Sequence, residues 1–152
     1  MANFGVYFNV TNNTGSALGF MRADLDDATY DGPQSIPSQP QPTVVHLNDP
    51  YFSEGASGTV YFLGSVGGQL RQYAWYGSCP VGSSNEAAGP GITSWTGPSG
   101  HPTTINIFID ASTTGWTPWP PTADSDVVTT KDIRAQLSGK KPADPDKTVK
   151  FK

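Results

Sequence analysis

Charge is scarce in this chain. Only 14% of its 152 residues are Asp, Glu, Lys or Arg, against roughly 25% in an average protein. Bases are scarcer still over most of the length. Residues 1–130 hold Arg22 and Arg71 against ten acids, a balance of −8, and residues 131–152 return +4 from seven bases and three acids, giving −4 in all. Binding to nucleic acid draws on clustered Lys and Arg that neutralise phosphates. A body this acidic therefore excludes nucleic acid as a partner. The single cysteine, Cys79, excludes an intramolecular disulfide. No window approaches the roughly 18 apolar residues of a membrane-spanning helix. The start, "MANFGVYFNV", has no basic region, no long apolar run and no small-residue cleavage site. The chain is accordingly expected to be made in a cytoplasm without a signal peptide.

Catalytic and metal signatures are also missing. His46, His101 and Cys79 are the residues from which a Cys–His nucleophile pair would be built, but no local signature surrounds them. Neither a Gly-x-Ser-x-Gly elbow nor a His-Glu-x-x-His pair occurs. "ADLDDATYDG" offers Asp24, Asp26, Asp27 and Asp31, but it lacks the twelve-residue loop ending in Glu that calcium uses in EF-hands. The expectation is no catalytic residue, no metal and no cofactor, and hence no enzyme. The acidic cluster reads as a solvated turn or as a patch able to meet an ammonium-bearing ligand.

What the chain does have is glycine, proline and short alternating runs. It carries 17 Gly and 14 Pro, well above average usage. "FGVYFNV" puts Phe4, Val6, Phe8 and Val10 on one face. "TNNTG" then reads as a hairpin turn into "SALGFMRADL". Further strands are read at "PTVVHLND", "GTVYFLGSV", "GQLRQYAWYG", "GITSW" and "TTINIFID", with Gly67-Gly68 as a two-residue hairpin turn. Seven half-buried strands predict an all-β, single-domain antiparallel β-sandwich over residues 1–123. Residues 124–152 form a short cationic extension, in which "DIRAQL" supports a helical turn or two before Pro142 and Pro145. The extension is expected to pack on the sandwich or stay mobile. Lys140, Lys141, Lys147, Lys150 and Lys152 serve there as a contact back onto the acidic body or as a membrane tether. In "SEGASGTVYF", Gly55 and Gly58 read as turn glycines feeding a strand. A phosphate loop would instead lead into a helix through Lys-Ser or Lys-Thr.

Aromatic residues give the strongest functional signal. Trp75, Trp95, Trp116 and Trp119 join Tyr73 and Tyr76 between residues 73 and 119. Rings with a polar tip suit a lipid headgroup interface or a sugar ring, and they serve equally well as cover over an open end of the sandwich. The candidate ligand-binding set is Trp116, Trp119, Trp95, Trp75 and Tyr73, with Asp26 and Asp27 as carboxylates for an ammonium group.

The order of these features resembles the aegerolysin family. "NVTNNTG" follows the first strand, "EGASGTVYF" leads into a middle one, and "RQYAWYGSCPVGSSNE" ends an aromatic strand in a Pro-Gly-Ser loop. The pattern is most similar to the aegerolysin-like small component of the two-part insecticidal crystal toxins of Bacillus and its bacterial and fungal relatives. Glu54, Gly55, Gly58, Thr59, Tyr73, Trp75, Pro80, Gly82 and Ser83 carry the resemblance, which spans about residues 4–111. Val81 stands where fungal members have Trp, and "RADLDDATYDG" lacks the Trp that precedes their acidic loop. The resemblance implies a non-enzymatic, membrane-binding cytolysin or toxin component that works with a larger pore-forming partner and is released or associated with a crystal or spore. Combined with the acidic body, it implies a lipid with a neutral or zwitterionic headgroup. A lectin-like sugar-binding module and a structural or crystal storage protein are the alternatives. Oligomeric state is left open.

Overall fold

The computed structural model describes residues 3–50, 54–123 and 127–134. The lysines expected to make the tail cationic lie outside the described residues. Along the chain run β1 (Val6–Asn13), β2 (Leu18–Asp26), β3 (Thr29–Asp31), β4 (Ser35–Ile36), β5 (Thr43–Asn48), β6 (Ser57–Val66) and β7 (Gln69–Ser78). After them come β8 (Glu86–Ala88), β9 (Ile92–Trp95), β10 (Thr103–Asp110), β11 (Thr117–Pro118) and the short helix α1 (Thr130–Arg134). The strands form two sheets, ordered β3-β5-β1-β10-β9 and β11-β7-β6-β2-β4, with β8 also pairing with β7. This is the all-β sandwich that the alternation predicted. Its pairs are antiparallel except at the centre of the first sheet. There β1 and β10 run parallel, from Val6 opposite Thr103 to Asn13 opposite Asp110.

Alternation fixes which side chains meet. β1 turns Val6, Phe8 and Val10 inward, and β10 turns in Ile105, Ile107 and Ile109. They pack against Val60 and Phe62 of β6 and Tyr73 and Trp75 of β7. β7 differs from the half-buried strand that was expected, because it is buried on both faces from Arg71 to Ser78. Its outer side chains Ala74 and Tyr76 join Tyr61, Ala88, Val128 and Ile133 in a second, smaller core. The start of the C-terminal extension, residues 127–134, thus lies across the outside of the second sheet.

One predicted connection is different. "TNNTG" is not a hairpin, because β1 and β2 belong to opposite sheets. Asn12 holds this crossover together. Its buried amide donates to the carbonyls of Ser16 at 2.8 Å and Ile36 at 3.0 Å, and its oxygen accepts from the Thr14 amide at 3.1 Å. Gly67-Gly68 is the hairpin turn expected, with φ of 59° and 77° and Val66 opposite Gln69. Two successive positive φ values match the type I′ turn that suits strand twist.

Gly55 delivers the chain into β6, as read from the sequence, whereas Gly58 is already a strand residue paired with Leu25 and Gly77. Both positions leave no room for a side chain. Gly55 has φ +86°, and a Cβ there would strike the Cys79 carbonyl and come within 2.8 Å of Pro80 Cα. A Cβ on Gly58 would lie 2.7 Å from the Asp24 carbonyl. Backbone bonds lock this corner: Ala56 donates to Phe4 at 3.0 Å, Cys79 to Ala56 at 2.9 Å and Val81 to Glu54 at 3.1 Å. Gly15 offers a contrast, with φ +88° and nothing within 4 Å. Gly15→Ala is expected to destabilise by about 1 kcal/mol from backbone strain alone. Gly55→Ala adds a collision with the main chain and is expected to exceed ~3 kcal/mol. Urea midpoints for the two variants check the difference, and equal losses would contradict it.

Candidate functional site

The seven residues expected to bind ligand do not form one site. Trp75 and Tyr73 are fully buried and Trp95 is 5% exposed, all three within the main core. Trp75 stacks with Tyr73 at 5.9 Å and donates from its indole nitrogen to the Pro90 carbonyl at 2.7 Å. Their strand phase, shared with Val60 and Phe62 across the hairpin, points these rings into the sandwich. That corrects the expectation that they face a ligand.

Trp116 and Trp119 are half-buried at one end of the second sheet. The Arg71 guanidinium lies 4.2 Å from the centre of the Trp116 ring and donates to the Ala111 carbonyl at 3.0 Å. The Trp119 amide donates to Leu70 at 3.0 Å. Asp26 lies at the other end. It pairs with Ser57 at the start of β6, whereas Pro118 pairs with Arg71, which stands opposite Gly64 seven residues further along that strand. At about 3.3 Å per residue the two groups are separated by roughly 23 Å. Trp116 and Trp119 therefore cannot share a small ligand with Asp26 and Asp27.

The Asp26 end carries two adjoining hollows. An open trough of about 540 Å³ is lined by Asp26, Ser57, Tyr76, Ser78, Pro80, Ser83, Ser84, Glu86 and Arg134. A second hollow of about 420 Å³ adjoins it, sharing Pro80, Ser83 and Ser84 and continuing to Phe4, Asn85, Ser99 and His101. The ridge between them is the loop after β7, and Asn85 pins it. The buried Asn85 side chain donates to the carbonyls of Gly97 at 3.2 Å and Gly100 at 2.7 Å, and its main-chain amide donates to Pro98 at 2.9 Å. Thr103 holds the strand end below by donating to the Ser78 carbonyl at 3.1 Å. Two exposed aliphatic side chains, Leu25 and Val81, stand at this same end. Of the trough residues, sequence reasoning placed only Asp26 in the candidate set and named Tyr76 among the aromatic signal. The signal available was the run of small polar residues in "CPVGSSNE", ending in one of the few acids of the body.

The four aspartates of the acidic stretch have different partners. Asp24 pairs with Arg22 at 2.7 Å and accepts from the Tyr61 hydroxyl at 3.0 Å. Asp31 faces His46 at 3.5 Å. Asp27 occupies the turn after β2 with φ +52°, a conformation Asp tolerates better than most residues. Asp26 remains exposed on the rim of the trough. Cys79 lies in the core, and burial pushes its thiol up, the reverse of the depression that marks a reactive cysteine. Within the trough, the Tyr76 hydroxyl donates to Glu86 at 3.1 Å, and burial pushes this phenol up.

Beside the trough, a hydrogen bond with Asp27 and repulsion from it raise the Glu54 carboxyl above its ordinary range, with Asp26 and Asp49 adding to the effect. A carboxyl raised by folding favours the native state below its unfolded pKa, and that contribution disappears as pH rises through the folded value. Glu54→Gln is accordingly expected to raise the melting temperature at neutral pH and to lose that advantage in acid below the carboxylate range. Thermal unfolding of both proteins across this interval checks the sign. A benefit confined to acid pH would contradict it.

No protein-family model matches the sequence, and no curated protein matches it. Among solved structures, the crystal structure of RahU protein in complex with a Tris molecule is similar in fold. RahU is an aegerolysin-family protein. The TM-score is 0.50 at 12% identity, over 68% of this chain and 92% of RahU. The shared property is the fold, an aegerolysin-like β-sandwich.

Proposed function

We propose that this chain is a non-enzymatic protein that binds membrane lipids with neutral or zwitterionic headgroups, using the trough end of the sandwich. The observation that carries the reading is the trough itself. Asp26, Glu86, the largely buried Tyr76, four serines and Arg134 line one open hollow, beside the exposed aliphatic side chains of Leu25 and Val81. Carboxylates and an aromatic wall suit a substituted ammonium group. The hydroxyls of Ser83 and Ser84 on the adjoining ridge suit the phosphate that accompanies it. Leu25 and Val81 would enter the headgroup layer, and the acidic body would be repelled by anionic lipid. RahU, of similar fold, was solved with Tris, an amine bearing three hydroxyls, which is compatible with a hydroxyl-rich amine site at the same kind of scaffold. Action as a toxin component with a larger pore-forming partner is the further part of the proposal, and it rests on the aegerolysin resemblance.

Sedimentation with vesicles tests the reading. Phosphatidylcholine vesicles should pellet the protein and phosphatidylserine vesicles should not. Asp26→Asn combined with Glu86→Gln should weaken binding about tenfold or more, since charge-assisted contacts are the strong ones in such a site. Trp116→Ala combined with Trp119→Ala should leave binding unchanged, because that end faces away. The opposite pattern would put the contact surface at the tryptophan end. Loss of vesicle binding to a free oligosaccharide competitor would favour a lectin, and failure to bind any vesicle would overturn the lipid reading.

A further inference from the structure

The trough already holds a cation, and it belongs to the chain itself. Arg134, the last residue of α1, donates from Nε at 3.1 Å and Nη2 at 2.9 Å to the same oxygen of Glu86. Its guanidinium carbon lies 5.5 Å from the centre of the Tyr76 ring. The Tyr76 hydroxyl donates to that Glu86 oxygen as well. A planar cation beside an aromatic ring and hydrogen-bonded to a carboxylate is the arrangement that also receives alkylammonium groups.

The extension puts Arg134 in this place by design of its packing. Thr129 and Asp132 cap α1 reciprocally, with the Thr129 amide donating to the Asp132 carboxylate at 2.9 Å and the Asp132 amide returning to the Thr129 hydroxyl at 3.3 Å. The Thr59 and Thr130 hydroxyls meet at 2.7 Å, and Arg22 donates to the Val128 carbonyl at 3.3 Å. Ile133 is fully buried against the outer face of the second sheet. The anchor thus combines these hydrogen bonds with a buried Ile133, whereas the Arg134 side chain is 52% exposed. An ion pair so open to water is weak, so a ligand that makes several contacts in the trough is able to displace it without unfolding the strap.

We propose that Tyr76 and Glu86 form a cation subsite whose resident occupant is Arg134, so that the extension competes with any ammonium-bearing ligand for the trough. This rests on the trough being the ligand site, and it adds that the chain holds the site partly closed against its own ligand. Apparent affinity falls in proportion to the fraction of molecules whose site is free. Removing the guanidinium should therefore tighten ligand binding without touching the residues that make the contact.

The test uses the full chain and two probes, tetramethylammonium chloride followed by NMR at Tyr76 and Glu86, and phosphatidylcholine vesicles followed by sedimentation. Arg134→Gln should tighten tetramethylammonium binding about fivefold or more, as expected for a site mostly occupied by its internal cation. Arg134→Lys, which keeps a cation on the strap, should behave nearly as wild type. Glu86→Gln should abolish tetramethylammonium binding in both the wild-type and the Arg134→Gln background. Tighter tetramethylammonium binding by Arg134→Gln supports the subsite even if neither protein binds vesicles, in which case only the lipid reading falls. Equal tetramethylammonium binding by wild type and Arg134→Gln overturns the competition, and vesicle binding by both would then leave the lipid reading standing. Unchanged binding after Glu86→Gln overturns the subsite itself.

Discussion

Strand β7 needs apolar cover on both sides, and much of the molecule is arranged to provide it. Its inner face presents Tyr73 and Trp75 to the other sheet, and its outer face presents Ala74 and Tyr76. A sandwich of two sheets covers only inner faces. The outer face is covered by residues 127–134, through Val128 and Ile133. This requirement brings a distant part of the sequence to the rim of the trough and places a guanidinium next to Glu86. A packing demand in the middle of one strand and an electrostatic feature at its end thus have a common origin.

The glycines near β7 follow from the same close packing. Gly77 stands where an added Cβ would lie 2.5 Å from Val6 and 2.9 Å from Ile105 across the core. Gly89 leaves space for the Trp75 ring, whose indole nitrogen finds its acceptor at Pro90 next door. Gly55 lets the chain pass against the Cys79 carbonyl, so that the loop after β7 stands close to the acidic corner at Asp27 and Glu54. At Gly55 the missing side chain sets how near two stretches of backbone approach, and at Gly77 how closely the two sheets pack.

The alternation of "FGVYFNV", "GTVYFLGSV" and "TTINIFID" was legible because strand period and burial coincide, and the Gly67-Gly68 turn was legible because two positive φ values leave few alternatives. Other features were not. The parallel pairing of β1 with β10 is a long-range choice that neither strand's pattern encodes. "TNNTG" reads as a hairpin by composition, but Asn12 uses its side chain to bridge two sheets. The two- and three-residue strands β3, β4, β8 and β11 are too short to show a period. Tyr73 and Trp75 were read as a functional signal although their phase with Val60 and Phe62 marks them as core. Of the site, Asp26 was legible as an acid in a turn, but Glu86 and Arg134 lie 48 residues apart and meet only through the strap.

The central claim is that the molecule faces a membrane with the end that holds Asp26, Val81 and Glu86. Paramagnetic broadening of backbone amide signals by phosphatidylcholine vesicles carrying a nitroxide on the headgroup measures this directly. The account predicts broadening at Leu25 to Asp27 and at Val81 to Glu86, with Leu70 and Thr117 unaffected. Broadening centred on Leu70 and on Trp116 to Trp119 would contradict it and place the membrane at the opposite end of the sandwich.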